Sequence, residues 1–158
     1  MPNWCENELL IAGPEDEVNK FIETSKKGDD FAIFENHIPT PNLENDGWYM
    51  WRLNNWGCKW DVDDPTLRYE NTSDGIKEAI MYFNTPWSPA IEAFTTISSM
   101  YPNLLFAIAY EEPGMQFEGF AKFNNGSILE HSQTDMLPKL DHLLGEYEYE
   151  KENFLEVS

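Results

Sequence analysis

The apolar residues of this chain follow two different periods, and each change of period marks an element. Residues 4–12, Trp-Cys-Glu-Asn-Glu-Leu-Leu-Ile-Ala, roughly alternate before turning fully apolar, which predicts a strand stopped by Gly13-Pro14. Beyond it Val18, Phe21, Ile22 and Ser25 share one face at helical spacing. Pro14 suits the first turn of that helix, Glu15, Asp16 and Glu17 complement its positive end, and Lys26-Lys27-Gly28 closes it. Phe31 to Ile38 predicts a second extended segment, ended by Pro39-Thr40-Pro41. After a polar loop over 42–46, Gly47 to Asn55 puts Trp48, Trp51 and Asn55 on one face of a short helix. Lys59 to Val62 and Leu67 to Asn71 read as short strands or extended loops around a turn at Asp63-Asp64-Pro65. Gly75 to Asn84 is ambiguous in period; a strand ending at Phe83 is favoured because Thr85-Pro86-Trp87-Ser88-Pro89 follows at once. Ser88 predicts an N-cap with Pro89 at the first helical position, and a helix to about Met100. Leu104 to Glu111 is a clear strand, and Gln116 to Phe123 alternates cleanly into the Asn124-Asn125-Gly126 hairpin turn and a return strand over 127–131. Asp135 to Leu144 predicts a last helix carrying Met136, Leu137, Leu140, Leu143 and Leu144.

That order of elements fits helices lying on one face of a mostly antiparallel sheet. The expected class is α+β, ferredoxin-like with additions: one domain over 1–145, an aromatic-rich insertion at about 40–75, and an acidic tail over 146–158. At 158 residues a second independent core is not expected. No apolar run approaches the roughly 18 residues of a membrane span. Met1-Pro2-Asn3-Trp4-Cys5-Glu6 lacks the basic and apolar regions of a signal peptide, so the expected location is the cytoplasm.

Charge changes this picture most. Asp and Glu number 29 against 10 Lys and Arg, a formal charge of −19. Such a chain repels phosphate backbones and anionic membrane surfaces, which disfavours duplex nucleic acid and membranes as partners and leaves basic partners or plain solubility. Candidate chemistry adds little. Cys5 and Cys58 form no C-x-x-C pair and read as buried apolar residues. His37, His131 and His142 are scattered, without metal-ligand spacing. Asp61-Val62-Asp63-Asp64-Pro65 is acidic but lacks the glycine and distal Glu of a calcium loop. Glu111 and Glu112 end a strand before Pro113-Gly114; a hairpin rim explains them, although two strand-end carboxylates are also the raw material of acid–base work. No glycine pattern for phosphates and no nucleophile elbow occurs. No catalytic residue, metal site or cofactor is therefore assigned.

What remains is the aromatic block: Trp48, Tyr49, Trp51, Trp56 and Trp60, with Trp87 further on. Buried, these rings make a small core that pins the insertion to the sheet. Exposed, they make a stacking platform flanked by Arg52 and Lys59, for which the candidate binding residues are Trp51, Arg52, Trp56, Lys59, Trp60 and Trp87.

Several short motifs occur in a fixed order: Met1-Pro2-Asn3-Trp4-Cys5-Glu6-Asn7, Ile38-Pro39-Thr40-Pro41, Asn55-Trp56-Gly57-Cys58-Lys59-Trp60-Asp61, Thr85-Pro86-Trp87-Ser88-Pro89, and Tyr110-Glu111-Glu112-Pro113-Gly114 before Phe117-Glu118-Gly119. Over roughly residues 1 to 125 this order resembles the YubB-like family of phage and plasmid proteins, which have a ferredoxin-like domain. Pro86 and Cys58 depart from the pattern, where a small residue and Thr are expected. The resemblance implies a fold and a mobile-element origin; it implies no reaction and carries over no catalytic residue. The expected function is a non-enzymatic interaction protein acting on a host or phage protein, with an acidic inhibitor or DNA mimic as its specific form. The alternative is a nucleic-acid or nucleotide-binding module built on the tryptophan block. An enzyme using the strand-end acids or Cys58 is the third.

Overall fold

The computed structural model describes residues 2–136, in which a twisted antiparallel sheet carries all its helices on one face. Strand β1 (Trp4–Pro14) leads into helix α1 (Glu15–Ser25) and a two-residue hairpin, β2 (Lys26–Lys27) and β3 (Asp30–Phe31). Helices α2 (Ile33–His37) and α3 (Gly47–Asn55) precede β4 (Asp63–Ser73) and β5 (Ile76–Pro86). Then come helix α4 (Ile91–Met100) and strands β6 (Leu105–Glu112), β7 (Phe117–Asn124) and β8 (Ser127–Asp135). The large sheet has the order β4-β5-β1-β6-β7-β8, every neighbour antiparallel. Its first four strands with α1 and α4 make the ferredoxin-like unit, in which β1 and β4 flank β5; β7 and β8 widen the sheet beyond β6.

Period-two alternation decides which side chains meet the helices. Cys5, Asn7, Leu9 and Ile11 of β1, Ala79, Met81 and Phe83 of β5, and Phe106, Ile108 and Tyr110 of β6 all point under α1 and α4. There they meet Val18, Phe21, Ile22, Phe94 and Ile97. The ring of Phe21 packs edge-on to Phe106 and Tyr101, and Phe94 reaches Phe34, Phe83 and Phe123. Two buried polar side chains on this side, Asn7 and His37, are well bonded. The Asn7 amide donates to the carbonyls of Cys5 and Phe83 and to Thr85 Oγ1. His37 donates from Nδ1 to the Ile33 carbonyl and accepts at Nε2 from the Tyr101 hydroxyl, each at 2.8 Å, which fixes the neutral ring.

Several expected elements differ. Phe31 to Ile38 is not extended: it holds the one-and-a-half-turn α2, because Asp61 reaches back and accepts the N–H groups of Phe34 and Glu35. The first helix ends at Ser25, and Lys26-Lys27 are strand β2, which turns into β3 past Gly28 at φ +62°. Lys59 to Val62 forms no strand, and Asp63-Asp64-Pro65 belongs to β4 as a bulge, with Asp64 at φ +48° and a register shift before Thr66. Most of the supposed insertion beyond residue 62 is thus an edge strand of the main sheet. Ser88 does not cap α4, whose first residue is Ile91; its hydroxyl donates to the Gly57 carbonyl instead. The Asn124-Asn125-Gly126 turn forms as expected, with Asn125 and Gly126 both left-handed. The predicted helix over 135–144 and the tail over 146–158 lie almost wholly outside the described residues, and Asp135 itself is the last residue of β8. No helix among the described residues is long and apolar enough to cross a membrane.

Candidate functional site

The two sides of the aromatic block do different work. Helix α3 has no fully buried residue of its own, so it is held by what its side chains cover. Trp56, just past its end, is the anchor: wholly buried, with its indole N–H donating to the Ile38 carbonyl at 2.9 Å. Phe34 lies 5.7 Å and Trp51 6.1 Å from its ring. Arg52 stacks on both Trp56 (4.7 Å) and Trp48 (5.1 Å). Its guanidinium also donates to Thr40 Oγ1 and the Lys59 carbonyl, and lies 3.7 Å from Glu35. Trp51, Arg52 and Trp56 are therefore brought together as packing, with the donors of Arg52 turned inward. Gly57 allows this closure: it sits at φ +81°, and a Cβ there would run into the Glu92 carboxylate.

The other three candidate residues lie outward. Trp60 is 38% exposed and Trp87 51% exposed. Lys59 holds its ammonium 4.8 Å over Trp60 and 5.4 Å over Tyr49. Trp60 leans on Trp4, ring centroids 6.4 Å apart, and the Trp87 N–H donates to the Asn3 carbonyl, so this corner gathers at the start of β1. Trp87 adopts φ +70°, a left-handed conformation that costs a bulky residue roughly 1–3 kcal/mol.

The remaining candidate chemistry is structural. Both cysteines are buried and unbridged. Burial, reinforced by neighbouring carboxylates, pushes the Cys5 thiol up to about 12 and raises that of Cys58 as well, which disfavours the thiolate form of both. Glu112 is fully buried and accepts the N–H groups of Gly114 and Met115, which fixes the β6–β7 turn. Asp61 is held above the ordinary carboxylate range by burial, against the pull of three backbone N–H donors. No cluster of three metal-binding side chains occurs among the described residues.

A surface that sequence reasoning missed lies on the opposite face of the sheet, which is helix-free among the described residues. Register places Glu6 directly beside Glu111, and Glu111 beside Glu118, on three adjacent strands. Neighbouring strands stand about 4.8 Å apart, so three carboxylates line up across the sheet. Two residues along, the next row reads Tyr82, Glu8, Ala109, Phe120. The one after reads Ile80, Leu10, Ala107, Lys122. The first two rows floor a trough of about 870 Å³, which adds Asp64 and Arg68 from β4. An adjoining apolar hollow of about 500 Å³ lies over Leu10, Ile80, Ala107 and Phe120. The trough carries five carboxylates against the guanidinium of Arg68, which stacks 5.1 Å from the Tyr82 ring. Strand alternation turns each acid outward, but only pairing between distant segments brings Glu6, Glu111 and Glu118 into one row.

The family model described as the ferredoxin-like domain in Api92-like protein matches residues 56–154. The chain belongs to the Api92-like family. The matched stretch begins at Trp56, after the central strand β1, so the sheet of this family member is completed by residues upstream of it. The crystal structure of protein api92 from Yersinia pseudotuberculosis is similar over 88% of this chain and 100% of its own, with a TM-score of 0.60 at 9% identity. At that identity the likeness speaks for the ferredoxin-like fold alone. Among curated proteins none matches this Api92-like chain.

Proposed function

We propose that this Api92-like protein is a non-enzymatic interaction protein of phage or plasmid origin, of the YubB-like kind. It works in the cytoplasm of the host cell, where it engages a basic host or phage protein. In its specific form it is an acidic inhibitor that presents carboxylates where a DNA-binding protein expects phosphates. The observation that carries this reading is the row Glu6, Glu111, Glu118. Like charges directly opposite one another destabilise a sheet, and a cationic partner turns that cost into attraction. The same charge disfavours duplex DNA as a partner. The test is capture from host lysate with duplex DNA as competitor. Basic DNA-binding proteins released by the competitor are the expected result; recovery of no basic protein at low salt refutes the reading.

A second reading rests on the outward corner of the aromatic block, where Lys59, Trp60 and Trp87 offer exposed rings beside a cation. It makes the protein a module for single-stranded nucleic acid or nucleotides. It requires oligonucleotides to quench tryptophan fluorescence at low salt, and absence of quenching at every salt concentration ends it.

A further inference from the structure

Cations are attracted to an acidic protein almost anywhere on its surface, but the helix-free face of this sheet is ordered in a way that scattered charge is not. Its rows change character in steps. Glu6, Glu111 and Glu118 form the first, Tyr82, Glu8 and Phe120 fall in the second, and Ile80, Leu10 and Ala107 in the third. Successive rows are two residues apart along β1, about 6.7 Å, so the carboxylates stand about 13 Å from the aliphatic row. Between them Phe120 and Tyr82 are each 39% exposed. The Tyr82 hydroxyl donates to Glu8 at 3.1 Å, and the carboxylate beside it raises the phenol's pKa, so this ring stays a neutral donor. Neither Glu111 nor Glu118 is ion-paired among the described residues. Arg68 over Tyr82 displays how a guanidinium lies on a ring of this face.

An extended chain repeats its side chains on one side with the same step of two residues. Its residues i, i+2 and i+4 therefore fall on the three rows in turn. We propose that this face is the docking surface for an extended segment of a protein partner with arginine at one position and an aliphatic side chain four residues away. The proposal rests on the acidic-partner reading above and adds to it the seat and the chemistry of the occupant. The guanidinium takes Glu111 and Glu118 and lies against Phe120, which suits arginine better than lysine because it is planar and more weakly hydrated. The aliphatic side chain covers Leu10, Ile80 and Ala107, outward apolar residues that line an open hollow among the described residues.

The experiment titrates the full chain with a labelled, end-blocked peptide carrying arginine and leucine four positions apart in a serine–threonine background. Parallel titrations replace the arginine by glutamine, replace the leucine by serine, or use spermine. Each is repeated with the Glu111→Gln/Glu118→Gln protein and with Asp16→Asn/Asp29→Asn, which removes the same charge from exposed positions elsewhere. The paired substitution on the sheet is expected to weaken the parent peptide by about tenfold or more, and the control by less than about twofold. Either change in the peptide should also weaken binding. Equal losses in the two protein variants, or spermine binding as well as the peptide does, overturn the docking surface while leaving a merely acidic interaction protein. So does a dimer in sedimentation that the peptide dissociates, since a second copy would then be the occupant. Failure of the wild-type chain to bind either the peptide or any basic protein at low salt overturns the surface and the underlying reading together.

Discussion

Replacing Trp56 by alanine separates the two halves of the aromatic block. The side chain is fully buried, and its removal opens a space lined by Phe34, Trp51 and the Arg52 guanidinium. Truncating a buried tryptophan costs about 3–5 kcal/mol through lost transfer energy and residual cavity. The Ile38 carbonyl also loses its donor, which adds about 1 kcal/mol. Arg52 loses a stacking surface while its bonds to Thr40 and Lys59 persist, so some collapse around the cavity is expected. The total comes to about 4 kcal/mol, a large share of the roughly 5–15 kcal/mol that holds a domain together. Urea denaturation followed by far-UV circular dichroism measures it. At this chain length the melting temperature should fall by about 10 °C. Trp87→Ala should stay within about 0.5 kcal/mol of wild type and Trp60→Ala within about 1 kcal/mol, because both rings face outward and Trp60 is held by the tilted contact with Trp4 and the Lys59 ammonium over its face. A Trp56→Ala protein less than about 1 kcal/mol below wild type would refute the assignment of Trp56 as the anchor of the block.

Three further outcomes follow from particular contacts. Asp61→Ala should cost about 2 kcal/mol in denaturant, since three N–H groups, two of them opening α2, lose a charged acceptor, and Asp61→Asn should cost less. His37 is buried neutral, with its pKa depressed by burial below the ordinary 6.5. The unfolded chain then takes up the proton first, so this residue's contribution is present above about pH 6.5 and is lost as pH falls toward the depressed value. Denaturation midpoints of wild type should drop from pH 7 to pH 5 more than those of His37→Gln. Glu111→Gln should raise the stability of the free protein by about 0.2–1 kcal/mol, because it removes the middle charge of a row of three; calorimetry that shows a loss instead would refute cross-strand repulsion as the cost.

Where the determinants are local, the fold is legible in the sequence. Strands β1, β6 and β7 announce themselves by their apolar pattern, β5 by the Thr85–Pro89 stop that follows it, α1 by its Val18-Phe21-Ile22 stripe, and the β7–β8 turn by Asn125-Gly126. Helix α2 is hidden because five residues hold no period of their own; what makes them helical is a carboxylate that arrives from Asp61. Strand β4 is legible only over Leu67 to Asn71, because its Asp-Asp-Pro start reads as a turn, whereas pairing with β5 absorbs those residues as a bulge. The Trp48–Trp60 block is visible at once, but its spacing says nothing about which rings turn inward; Trp56 and Trp60 differ by four residues and end on opposite sides of that division. The carboxylate row is the least legible feature, since Glu6 and Glu111 become neighbours only through strand register.

The proposed seat of a basic partner is the sheet face opposite the described helices. Chemical-shift mapping of the full chain with the arginine–leucine peptide tests this most directly. The account predicts shifts concentrated on the methyls of Leu10, Ile80, Ala107 and Ala109 and on the Phe120 ring, with Trp56 and its neighbours unmoved. Shifts confined to Trp60 and Trp87, or none on the sheet when the peptide is saturating, would contradict it.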